Sequence, residues 1–109
     1  MEGEINRESM EYIRDLTPDF EKWVVDFAIN EVWSRPGLDH RTRQLCIIAA
    51  DTALGNGLQL KAHIATALLS GATKEEIVEV ILLMAVYAGF PRAWNGLIAA
   101  KEVFTEQSK

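Results

Sequence analysis

The sequence predicts an all-α protein, and three observations carry that prediction. Apolar residues recur at helical spacing along most of the chain, and turn and capping signals bracket each apolar run. Nowhere do apolar and polar residues alternate as a half-buried strand requires. The third observation is the stretch from Thr73 to Gly89. It opens as a capping box, in which the Thr73 hydroxyl accepts from the Glu76 N–H and the Glu76 side chain reaches back. Glu75 and Glu76 favour the positive end of the helix dipole, Gly89 supplies a left-handed stop and Pro91 forbids continuation. From Val80 to Ala88 every residue is apolar except Tyr87. A helix apolar on all sides must be covered on all sides, and in a chain this short part of that cover is expected from another subunit.

The other elements follow in order. Residues 1–16 read as an N-terminal arm or weak helix, with only Ile5, Met10, Ile13 and Leu16 as apolar anchors from Ile5 onward. Thr17-Pro18 is a helix start, a hydroxyl cap followed by Pro at the first helical position. Phe20, Trp23, Val24, Phe27 and Ala28 then form one apolar stripe, and the helix closes near Trp33 before the turn Ser34-Arg35-Pro36-Gly37. Asp39 caps a third helix running through Leu45-Cys46-Ile47-Ile48-Ala49-Ala50 to a break at Gly55-Asn56-Gly57. Leu58 to Ser70 is a fourth, apolar at Leu60, Ile64, Ala67 and Leu68 and stopped by Gly71. After the central helix, Pro91 opens a sixth that runs through Phe104.

Composition narrows the function classes. The 109 residues suffice for one domain, spanning 1–109, with 49% hydrophobic residues and a net charge of −5. That charge argues against nucleic acid, whose phosphates need a basic face. No apolar run approaches the roughly 20 residues that cross a bilayer, and the acidic, polar start Met1-Glu2-Gly3-Glu4 is no signal peptide, so a cytoplasmic location is the expectation. A lone cysteine, Cys46, allows no internal disulfide, no Cys-x-x-Cys pair and no zinc site of cysteines within one chain. It reads as a space-filling residue of an apolar helix.

Few side chains carry chemistry. His63 stands mid-helix with Gln59 one turn before it, and histidine passes protons readily near neutral pH. Read blandly, it is a partly buried polar residue satisfied by a neighbour. Arg35, Arg41 and Arg43 gather about the second turn, and Arg92 begins the last helix. The planar arginine fork suits carboxylates, although any single one reads first as an ordinary surface or subunit-contact charge. Gly55-Asn56-Gly57 follows a helix rather than a strand and reads as a turn, not a phosphate loop.

Several segments, in order, resemble the carboxymuconolactone decarboxylase family. They are Val32-Trp33-Ser34-Arg35-Pro36-Gly37-Leu38-Asp39, Arg41-Thr42-Arg43, Ala53-Leu54-Gly55, Leu60-Lys61-Ala62-His63, Gly71-Ala72-Thr73-Lys74-Glu75-Glu76-Ile77 and Ala85-Val86-Tyr87-Ala88-Gly89-Phe90-Pro91. The resemblance implies an alkylhydroperoxidase-D-like fold of about six helices assembled as a trimer or hexamer. It also implies cofactor-free decarboxylation of 4-carboxymuconolactone to the enol-lactone of 3-oxoadipate, in protocatechuate breakdown, with no metal. On the same terms His63 is the proton donor, Arg35 or Arg43 holds a substrate carboxylate, and Gln44, Gln59 and Tyr87 line the site. The related peroxide reductases place Cys-x-x-Cys before the equivalent histidine and a glutamate upstream. Asn56, Gln59 and Gln44 stand at those positions here, which argues against thiol peroxidase activity. Many decarboxylase relatives carry an acidic residue where Gln59 stands. A relative acting on another small lactone or oxo-acid, or a non-catalytic oligomeric binding protein, is therefore the alternative.

Overall fold

The computed structural model describes residues 7–108, which form six helices and no strand. Ile5 and the acidic start of the chain lie outside the described residues. The chain divides into two compact units at Leu38/Asp39.

The N-terminal unit holds α1 (Arg7–Ile13) and α2, which begins as an α-helix at Pro18–Trp23 and widens to π winding over Val24–Trp33. Pro18 occupies the first turn as expected, but the Thr17 side chain makes no capping bond. Its backbone is extended, as the residue before a proline prefers. A bidentate bridge instead joins the end of α1 to α2, Arg14 Nε donating to Glu21 Oε1 at 2.8 Å and Nη2 to Oε2 at 3.0 Å. The predicted stripe is present, yet none of its residues is fully buried, and Phe20, Trp23 and Phe27 stay exposed.

The second unit packs α3 (His40–Leu54), α4 (Gly57–Leu69), α5 (Lys74–Tyr87) and α6 (Phe90–Gln107) about one core. Each boundary has a local cause. Asp39 Oδ1 accepts from the Thr42 N–H at 2.7 Å to start α3. The capping box of α5 is complete, with bonds of 3.0 Å from the Glu76 N–H to Thr73 Oγ1 and 2.9 Å from the Thr73 N–H to Glu76 Oε1. Gly55, Gly71 and Gly89 all take positive φ after helix ends. The last helix runs three residues past Phe104, to Gln107.

Ile48, Leu60, Ile64, Ile77 and Ile81 form the centre of the core, and α6 closes it with small residues, Ala93, Gly96, Ala99 and Ala100. A Cβ at Gly96 would lie 3.0 Å from both Ile81 Cγ2 and Thr52 Cγ2. The absence of that carbon is what lets α6 settle between α3 and α5. Within this unit only one face of α5 is covered. Ile77 and Ile81 are fully buried, whereas Leu82, Leu83, Val86 and Tyr87 face outward, the last two at 75% and 78% exposure. Beside them α6 adds Phe90, Trp94 and Ile98, and the two helices enclose an open, almost wholly apolar groove of about 440 Å³. Among the described residues no helix is long and apolar enough to cross a membrane.

Candidate active site at the junction of α3 and α4

The site begins with a two-residue reversal. At the end of α3 the Asn56 N–H donates to Asp51 O at 2.9 Å and the Gly55 N–H to Thr52 O at 3.3 Å, a Schellman closure with Gly55 at φ 76°. The Asn56 carbonyl then accepts from Leu60, starting α4 at once. So tight a turn folds the first turns of α4 back across the last turns of α3.

That reversal sets His63 against Asp51. The His63 Nδ1 and Asp51 Oδ2 are 2.5 Å apart, with the two side chains only 15% and 9% exposed. The pair is short even for a charge-assisted hydrogen bond. Asn56 Nδ2 lies 3.5 Å from the other carboxylate oxygen, at the outer limit of a bond. The hydroxyl of neighbouring Thr52 is spent on its own helix, donating to Ile48 O at 2.7 Å. An imidazole tethered at Nδ1 has Nε2 left for exchanging a proton with a ligand.

Asp51, but not His63, also borders a small cavity of about 30 Å³, lined with it by Thr52, Gly55, Leu60, Arg92 and Asn95 among others. Arg92 Nη1 donates to Leu54 O at 3.2 Å, fixing the guanidinium over the end of α3. A Cβ on Gly55 would fall 1.8 Å from that nitrogen, so glycine here serves both the left-handed turn and the arginine's seat. A carboxylate and a guanidinium thus border one small space whose walls are otherwise largely apolar. The much larger groove between α5 and α6 is almost wholly apolar and is lined by neither His63 nor Asp51, so the candidate chemistry lies away from it.

The sequence profile of the carboxymuconolactone decarboxylase family matches residues 18–102, across both compact units. The chain belongs to this family. It is 41% identical over 96% of its length, and 78% of the relative's, to a 4-carboxymuconolactone decarboxylase of Acinetobacter baylyi. It is 30% identical to a nitrosuccinic acid decarboxylase of Metarhizium robertsii, over 86% of this chain and 68% of the relative. An uncharacterised protein of Paracoccus denitrificans shares 32% identity over 92% of this chain and 76% of its own.

In this family member the residues singled out from sequence are spread about. Gln59 precedes His63 by one turn on α4 and is exposed, while Gln44 lies two turns before Asp51 on the same side of α3 and is fully buried. Arg43 is half-buried on the first turn of α3, Tyr87 stands exposed at the end of α5, and Arg35 is exposed in the turn that closes α2 of the N-terminal unit. The partner that His63 does meet is Asp51, a residue that sequence reasoning passed over, and the arginine bordering that partner is Arg92. One signal was available: Asp51 is the only charged residue between Leu45 and Leu54.

A second correction has the same origin. The buried face of α3 is Gln44, Ile48, Asp51 and Thr52, three of them polar, and Cys46 is exposed rather than filling space. Among the described residues no group of three or more His, Cys, Asp and Glu side chains is gathered closely enough to hold a metal ion.

Proposed function

We propose that this chain is a cofactor-free decarboxylase of a small carboxylated lactone, with 4-carboxymuconolactone as the leading candidate substrate. The observation that carries the reading is the half-buried His63, held at one ring nitrogen by a buried carboxylate in a chain of this family. The two decarboxylases among the relatives support the reaction class. The uncovered apolar face of α5 and α6 supports a homo-oligomer, a trimer or hexamer.

The chemistry asks little of the protein. The departing carboxylate is vinylogous to the lactone carbonyl, so the electron pair of the breaking C–C bond flows into that carbonyl as CO2 leaves. The resulting dienolate then takes a proton at carbon. The protein must hold carboxylate groups, stabilise developing negative charge on the enolate oxygen and deliver the proton. His63 delivers it from Nε2. Arginine holds carboxylate, and Arg92 joins Arg35 and Arg43 as a candidate because it borders the same cavity as Asp51. Gln44, Gln59 and Tyr87 remain candidates for shaping the site.

The test is direct. Lactone generated in situ from carboxymuconate is offered to the purified protein and to His63→Ala and His63→Gln, and product is followed. Loss of a general acid costs about two to four orders of magnitude in rate, and Gln, which donates a hydrogen bond but releases no proton, should fare little better than Ala. Wild-type rates in both variants would remove His63 from the reaction. An inert wild type would overturn the substrate.

A further inference from the structure

We propose that Asp51 is the positioning residue for His63, selecting which ring nitrogen carries the transferable proton. The inference rests on the decarboxylase reading for its kinetic consequence, though not for its structural one.

Three observations lead to it. Asp51 is 7% exposed and sits on the inward face of α3 among Ile48, Thr52 and the core of α4, where an ionised carboxylate is costly unless paired. The neighbouring hydroxyl that could have served it, Thr52, is committed to Ile48 O. The close partner of its Oδ2 is His63 Nδ1 at 2.5 Å, with Asn56 only marginally in reach of Oδ1. A carboxylate accepts but does not donate, so this contact requires the proton on Nδ1.

Two consequences follow for the proton ledger. In the cationic state both nitrogens carry protons, Nδ1–H donates to Asp51 and Nε2–H is the acid. When the Nε2–H bond breaks and the C–H bond of the product forms, the ring is left neutral as the Nδ1–H tautomer. That is the form Asp51 already favours, and Nε2 then recovers its proton from water. Without the carboxylate the neutral ring is free to keep its proton on Nε2. Asp51 touches no reacting atom. It acts through the ring.

The experiment has two arms. In protein labelled with 15N at histidine, ring nitrogen shifts assign the tautomer of neutral His63, with His63→Gln identifying its signals. The wild type should show Nδ1–H. Asp51→Asn, nearly isosteric, should shift His63 toward the Nε2–H form, because the amide can donate to Nδ1. In the kinetic arm Asp51→Asn should lower kcat by about two to four orders of magnitude with KM changed less than about threefold, as loss of the correct tautomer does in a histidine held by a carboxylate. Asp51→Glu, which keeps the charge, should recover part of that loss. A wild-type ring protonated at Nε2 rather than Nδ1 overturns the proposal without any variant, as does a kcat unchanged in a folded Asp51→Asn. Should the wild type prove inert on the lactone, the spectroscopic arm still decides the role of Asp51, while the decarboxylase reading fails separately.

Discussion

Removing the His63 ring should destabilise the protein as well as silence it, and the size of the effect follows from its partner. In His63→Ala the Asp51 carboxylate, whose side chain is only 9% exposed in the native protein, loses its 2.5 Å contact. Taking the hydrogen-bond partner away from a buried carboxylate costs about 3–5 kcal/mol, because a charge is left without compensation. His63 is itself 15% exposed, so water can enter the vacated space, and the lower end of that range, about 3 kcal/mol, is expected. Asp51→Ala/His63→Ala removes the charge together with its partner and leaves only small voids. Its cost should therefore fall short of the summed single costs by about 2–3 kcal/mol, near the upper limit seen for residues in direct contact. Urea denaturation of the four proteins, at one protein concentration so that subunit association is held fixed, measures the cycle. Additivity within about 0.5 kcal/mol would mean that the two side chains do not act as one interacting unit.

Three further outcomes are expected. Thr73→Ala should cost about 0.5–2 kcal/mol by dismantling the capping box of α5, whereas Thr17→Ala, whose hydroxyl makes no cap bond, should stay within about 0.5 kcal/mol in the same denaturation assay. The Asp39 carboxyl is held below its usual range, first by the hydrogen bond from Thr42. A depressed folded value means stability that is present above the unfolded carboxylate range, near pH 4, and lost as pH falls through the folded value. The stability difference between wild type and Asp39→Ala should accordingly shrink on acidification below about pH 4, and a difference unchanged down to pH 2 would refute it. Finally, sedimentation at micromolar concentration should show a trimer or larger species, and Val86→Glu with Trp94→Glu should release monomers. A stable wild-type monomer would leave the exposed face of α5 and α6 without its explanation.

Much of this architecture is legible locally. Each of α3, α5 and α6 starts at a residue whose side chain or ring performs the start, Asp39, Thr73 and Pro91, and each reversal in the second unit uses a glycine at positive φ. Such signals act within four residues, so sequence exposes them. Thr17 shows the limit: a hydroxyl in a suitable place is not a cap until the backbone turns an N–H toward it.

The site was half legible. His63 announces itself by its chemistry, and membership of the decarboxylase family agrees with the ordered segments that surround it. Its partner did not, because pattern reading follows the apolar run from Leu45 to Ala50, whereas the buried face of α3 is Gln44, Ile48, Asp51 and Thr52. Burying Gln44, Asp51 and Thr52 sacrifices apolar burial on that face, which no periodicity argument would choose.

Sequence alone determined the helical class, the helix boundaries and the surplus of apolar surface on α5, since these follow from propensity, capping and composition along a few turns of chain. Tertiary structure decided which face of α3 turns inward, that Asp51 meets His63 across the Gly55-Asn56 reversal, and that Arg92 comes to rest over Leu54 from the last helix. Asp51 and Arg92 lie 12 and 38 residues from those partners, so their meeting depends on how α3, α4 and α6 pack rather than on a preference within any one helix.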